Sequence, residues 1–377
     1  MRLLNTVRLK IKLRRVAWIC LAWTLAAIFD NINTKAIAAS RHLEILPDYK
    51  IDTYFTINIL SAFLASIISG TLLVFYLRER FRRESFGLAI LVNAFIISTL
   101  NIAISALVYT LYFSFQFKHF PLHEEVLNAS SLLLTDSLFL KNLFFWFALV
   151  MLTIIFLHVN EKYGPGVLGK LLLGRYHRPR EEERIFMFVD IRSSTTIAEQ
   201  IGHLRFFELL NDFYRALTNS ILYTSGEIYQ YVGDEIVISW PMQRGIKNAN
   251  CIRCFYSIKG TLETLSHQYK QKYGYAPVVK AGLHCGLVTT GEIGVIKKDI
   301  VYSGDVMNTA SRIQAKCNEF GVDILLSKYL IDKLKLAPDE FPRRRMGMIE
   351  LRGKKKKVEL YSFGDEEVEE RLIRNMF

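Results

Sequence analysis

Apolar positions are unevenly spread along the chain. Four long apolar runs lie before residue 160, at about Val16–Phe29, Phe55–Leu77, Phe86–Phe115 and Leu140–Val159. The first extends toward Ala39 if its polar Asp30–Lys35 stretch is tolerated. Each run then reaches the roughly 20 residues that cross a bilayer, so this part reads as an all-α transmembrane helical domain. Three more spans follow the first, which makes it an anchor rather than a cleaved leader.

From Arg184 onward the runs shorten and their periods change. Ile185–Val189 reads as a strand, with Phe186 and Phe188 on one face and Met187 and Val189 on the other. Ser193–Ser220 has helical spacing, interrupted at Gly202. Strands are expected at Glu227–Val232, Ile236–Trp240, Val322–Leu326, Met348–Arg352 and Val358–Phe363. Val278–Cys285 and Val288–Ile293 are expected to form a hairpin around Gly286, and helices are expected at Asn248–Tyr273 and Asp305–Phe320. The order β-α-β-β-α-β predicts an α+β ferredoxin-like domain. The expected divisions are a membrane domain at 1–159, a linker at 160–183, a second domain at 184–363 and a charged tail at 364–377.

Charge orients the spans. Arg2, Arg8, Lys10, Lys12, Arg14 and Arg15 precede the first, and Arg78, Arg80, Arg82 and Arg83 fill the second loop. The positive-inside rule puts the N-terminus, that loop and everything after Val159 in the cytoplasm of a multi-pass protein of the cell (inner) membrane. The net charge of +12 is then largely membrane-flanking, and nucleic acid is not an expected partner. Five cysteines without a regular framework indicate reduced thiols, and Cys251-Ile-Arg-Cys254 reads as structural. Asn93, Asn101 and Ser105 read as polar glue between spans.

Two carboxylates change the picture. Asp190 ends the Ile185–Val189 strand and precedes the polar turn Arg192–Thr195. That position suits a helix N-cap, and equally a cation held beside a phosphate that rests on free amides. Asp234 tips the Gly233-Asp234-Glu235 turn between two strands. In a βαββαβ sheet the first strand lies beside that hairpin, so the carboxylates converge as a two-metal site requires.

FVDIRSST, YVGDEIVISW, GLHCGLVTTGEIG and SGDVMNTASRIQ, in this order, resemble the class III nucleotidyl cyclase domain over about Arg184–Phe363. The resemblance implies two Mg²⁺ or Mn²⁺ ions on Asp190, Asp234 and the Ile191 carbonyl. It implies a triphosphate cradled by Arg192, Ser193, Ser194 and Thr195. Asn308 and Arg312 match the family's Asn-x-x-x-Arg, which orients the ribose and stabilises charge at the α-phosphate. A basic group near the last hairpin falls at Arg352 or Lys354. The resemblance further implies a site shared between the subunits of a homodimer, which the apolar runs would place in the lipid bilayer. The base-reading positions hold Gln230 and Val301, with Asp299 nearby. These depart from the adenine and guanine patterns, so a membrane-anchored adenylate cyclase using ATP is expected and a guanylate cyclase remains the alternative. A diguanylate cyclase is disfavoured by Val232 and by the NTASR helix. A non-catalytic receptor or scaffold is disfavoured because the metal carboxylates and the Asn/Arg pair are all present. His284 reads as a packing residue.

Overall fold

The computed structural model describes residues 2–41, 51–81, 84–135, 137–164, 169, 174, 176–336, 343–350 and 357–363. The chain forms two compact units, Leu9–Pro165 and, with Met1–Arg8, Gly166–Phe377.

The first unit is helical: α1 Arg2–Arg41, α2 Ile51–Leu72, α3 Phe86–Phe117, α4 Glu124–Thr135 and α5 Ser137–Tyr163. Four segments among the described residues are long and apolar enough to cross a membrane: Leu9–Ala36, Phe55–Arg80, Gly87–Phe117 and Lys141–Glu161. Helix α1 runs unbroken through Asp30–Lys35 because its acid finds a partner. Lys141 Nζ lies 2.9 Å from both Asp30 oxygens and donates to Thr34 Oγ1 at 2.6 Å. Trp23 donates to Thr153 (3.0 Å), Ser69 to Asn101 (2.7 Å), and Ser61 pairs with Ser105 (3.0 Å). Such bonds hold helices together where burial of apolar surface supplies little drive. Helix α4 was not anticipated, because its apolar positions are too few to register as a span.

The second unit is built on an eight-stranded sheet. Its core strands are β1 Arg180–Ile191, β2 Glu227–Val232, β3 Glu235–Pro241 and β4 Val279–Ile293, in the order β2-β3-β1-β4. This is the ferredoxin-like arrangement. Strand β1 is buried on both faces. Ile185, Met187, Val189 and Ile191 pack with residues of α7 His203–Tyr223 and α8 Asn250–Tyr273, including Phe213, Leu217 and Phe255. Phe186 and Phe188 pack on the other face with Val306 and Ala310 of α9 Asp305–Ala315. A short helix α6, Ser194–Ile201, follows β1, and Gly202 (φ +82°) separates it from α7.

Several expectations need correction. Strand β1 begins at Arg180, so Arg180–Glu183 pair with Leu287–Thr290 and do not form linker. Strand β4 runs through Gly286 without turning. A Cβ there would lie 2.8 Å from Val306 Cγ2, so this glycine serves the close approach of α9. The true hairpin partner of β4 is β5, Asp299–Ser303. Beyond β4 the sheet continues through β6 Ile324–Ser327, β8 Val358–Phe363 and β7 Arg343–Ile349, with α10 Lys328–Leu334 after β6. Strand β7 thus starts five residues before the expected Met348–Arg352 and overlaps it at Met348 and Ile349, and only Met348–Glu350 of that segment are described.

Candidate active site

Asp190 sits one residue from the end of β1. Its neighbour Val189 pairs with Ile236 of β3, so Asp190 lies beside the β2–β3 turn that carries Asp234. Gly233 takes φ +64° in that turn, a conformation glycine adopts without a Cβ clash. The Tyr214 hydroxyl donates to the Gly233 carbonyl at 2.7 Å and fixes the tip.

The two carboxylates meet. Burial pushes Asp190 up to about 6, and a hydrogen bond to Asp234 and its charge add to the shift. Burial pushes Asp234 up as well, but hydrogen bonds with Asp190 and Ser194 outweigh it and hold Asp234 below the usual carboxylate range. One proton between two acids produces this split. Burial, then Asp190 and Asp234, push Glu235 up to about 7. Asp234 Oδ2 is buried and has no hydrogen-bond partner among the described residues. A buried, unsatisfied carboxylate oxygen beside a second carboxylate fits a hard divalent cation such as Mg²⁺ or Mn²⁺.

Sequence reasoning missed two residues here. Lys280 is the β4 partner of Asp190, and its Nζ lies 3.2 Å from Asp190 Oδ2. Gln314 of α9 donates to the same oxygen at 3.0 Å. Both grip Oδ2. The β1–β4 register that brings Lys280 here is not written in either strand alone.

The turn after Asp190 is strained at Ser193, a non-glycine residue with φ +54°. The Arg192 amide donates to Val278 O (2.8 Å), and its guanidinium to Val322 O (2.7 Å) and Asp323 Oδ1 (2.8 Å). Arg192 is therefore committed to the scaffold. The amides at the start of α6, including those of Ser194 and Thr195, have no acceptor within the helix. The Ile191 side chain is in the core, so only its backbone is available to a ligand.

Gln230 owes its position to a β-bulge. The β2–β3 register shifts between Ile228 and Gln230, so Gln230 pairs with Val237. Val237 also pairs with Phe188, on the face of β1 that carries Asp190. Without the extra residue, strict alternation would turn Gln230 to the α7–α8 face. Val301 pairs with Gly291, on the face opposite its neighbour Tyr302. Asp299 is exposed and paired with Lys297 at 2.9 Å.

Asn308 and Arg312 stand one turn apart on α9. The buried positions of that helix are Val306, Thr309, Ala310, Ile313 and Gln314. At 100° per residue, Asn308 and Arg312 fall on the opposite side, turned away from the sheet and from Asp190 of their own chain. Neither makes a hydrogen bond or ion pair among the described residues. His284 bonds Ser327 at 2.7 Å. Arg352 and Lys354 lie outside the described residues.

Two carboxylates thus meet at the edge of a ferredoxin-like sheet, and residues 177–364 match the adenylate and guanylate cyclase catalytic domain family. Residues 177–364 are thus a class III nucleotidyl cyclase domain. It is 38% identical over 210 residues to adenylate cyclase 2 of Rhizobium meliloti (strain 1021), covering 55% of this chain and 57% of that protein. It is 27% identical over 205 residues to retinal guanylyl cyclase 1 of Rattus norvegicus, covering 52% and 18%. The chain thus spans less than two thirds of these relatives. A bacterial light-regulated adenylyl cyclase structure shares the fold with a TM-score of 0.51 at 21% identity, over 64% of this chain and 71% of that one.

Proposed function

We propose that the chain is a membrane-anchored adenylate cyclase that converts ATP to 3′,5′-cyclic AMP and pyrophosphate in a site shared by two subunits. The observation that carries this reading is the division of the site. Asp190 and Asp234 converge on one face, while Asn308 and Arg312 point away from them on the outer side of α9. A single chain cannot close these groups around one nucleotide, and a two-fold dimer can.

Asp190 and Asp234 would hold two divalent ions, whose charge lowers the cost of deprotonating the ribose 3′-hydroxyl and of gathering the phosphates. The 3′-oxygen forms a bond to the α-phosphorus, its proton leaves, and the bond from that phosphorus to the pyrophosphate oxygen breaks. The amides of Ser194 and Thr195 receive phosphate oxygens at the head of α6. The partner's Asn308 orients the ribose, and the partner's Arg312 meets charge at the α-phosphate with a planar, fixed cation. Gln230 offers the base edge both a donor and an acceptor. The 38% identity to an adenylate cyclase favours ATP. The four apolar helices favour residence in the bilayer, with the basic flanks cytoplasmic.

The test is the full-length chain in lipid, supplied with ATP or GTP and Mn²⁺, beside Asp234→Ala. Cyclic AMP and pyrophosphate, reduced at least a hundredfold in the variant, are expected. Cyclic GMP would keep the mechanism and reassign Gln230 to guanine. No cyclic product from a folded chain with either nucleotide would overturn the reading.

A further inference from the structure

A second cluster of ligating side chains lies in the helical unit, at the end of α3. The sequence there is His119-Phe-Pro-Leu-His-Glu-Glu125. Lys118 turns into the left-handed region (φ +56°) and stops the helix. The Ser114 hydroxyl then donates to the His119 carbonyl at 2.6 Å, and the His119 amide returns to Ser114 O at 3.2 Å. Phe120–His123 forms a β-turn closed by the His123 amide on Phe120 O at 2.9 Å. Pro121 occupies its second position, where a fixed φ pre-sets the turn. The carbonyl of His123 accepts from the Leu127 amide at 3.0 Å, which ties the turn to α4.

This backbone brings both imidazoles to one place. The His119 and His123 rings lie 4.1 Å apart and nearly parallel, at 9°. His119 Nε2 is 3.4 Å from Glu125 Oε2. One ligating atom from each of His119, His123 and Glu125 can be chosen so that all three lie within 4.8 Å of one another. Atoms bound to one tetrahedral zinc at about 2.0–2.2 Å stand about 3.3–3.6 Å apart. The required closure is at most about 1.5 Å, within the reach of exposed side chains. The structural alternative is weak, because an exposed His–Glu pair contributes at most about 1 kcal/mol.

We propose that His119, His123 and Glu125 form a binding site for a borderline divalent transition ion, zinc foremost. Two imidazoles and one carboxylate are a zinc-type donor set, and the remaining positions are open to water. The site does not share a residue with the cyclase site. On the membrane topology proposed above, it opens on the side of the bilayer away from the cytoplasm, but zinc binding itself is independent of that reading.

The experiment uses the full-length chain in detergent with Asp190→Asn and Asp234→Asn, so that the other carboxylate site does not compete. The chain is stripped with chelator and titrated with Zn²⁺ against a chromophoric competitor. X-ray absorption at the zinc edge identifies the ligands. One zinc per chain with two imidazoles in its shell is expected. His119→Ala, His123→Ala and Glu125→Gln should each weaken binding at least tenfold, the loss that even an outer-shell partner causes. Zinc-free unfolding of these variants should match the parent, since the residues are exposed. Substoichiometric zinc, a shell without two imidazoles, or unchanged affinity in His119→Ala and His123→Ala would overturn the proposal.

Discussion

Asp190 and Asp234 share a proton because both are partly buried and lie against one another, and Lys280 beside Asp190 offsets this only in part. The signs follow from the directions of shift. A raised carboxylate favours the metal-free fold at low pH, and that contribution is lost as pH rises through about 6 for Asp190 and about 7 for Glu235. A cation requires the ionised form, so its affinity moves the other way. Mn²⁺ affinity of the full chain should fall about tenfold per unit as pH drops below about 6. Calorimetric titration between pH 5 and pH 8 reads this directly, and a flat affinity would contradict a shared proton. Asp190 and Asp234 were legible in the sequence because each lies at the end of an apolar strand beside a turn. Lys280 and Gln314 were not, because one depends on strand register and the other on the phase of a helix packed across the sheet.

Helix α9 can lie close to β4 only because that strand lacks side chains where the helix crosses. A Cβ on Gly282 would stand 2.2 Å from the Gln314 backbone nitrogen, a contact that no side-chain rotation relieves. Gly282→Ala should therefore destabilise the cyclase unit by about 3 kcal/mol, the upper part of the usual range for overpacking. Gly233→Ala, where nothing lies within 4 Å of the added atom, tests the separate cost of a positive φ. Thermal unfolding distinguishes them, and a Gly282→Ala protein as stable as its parent would refute close helix–strand contact. This contact also explains the misread hairpin. A glycine inside an apolar strand signals either a turn or a close approach, and the sequence alone does not say which. Strand β5 escaped notice because its five residues mix charge and β-branched positions. The β2 bulge that aims Gln230 escaped notice because its extra residue is an ordinary tyrosine.

At the scale of the molecule, hydropathy was the most legible signal, since a bilayer imposes one length on every span. All four expected spans recur as helices, and an ion pair explains why Asp30 does not break the first. Dimerisation is the molecular property with the sharpest test. Chains carrying Asp234→Ala and chains carrying Arg312→Ala should each be inactive and should regain activity when mixed. A mixed dimer holds one site with both lesions and one site intact. No recovery in verified mixed dimers would exclude a shared site.

Helix α9 holds its own chain's Asp190 through Gln314. In the dimer proposed above, Arg312, two residues earlier on the outer side, would serve the partner's site, which makes the helix a crossbar between two reaction centres. Any shift that a nucleotide imposes on Arg312 reaches the carboxylate of the other centre through a rigid helical turn. Thermodynamic reciprocity requires the influence to run equally in both directions. Each centre then reads the occupancy of its twin. The substrate curve of the parent dimer should depart from a simple hyperbola, and that of the mixed dimer, with a single working centre, should return to one.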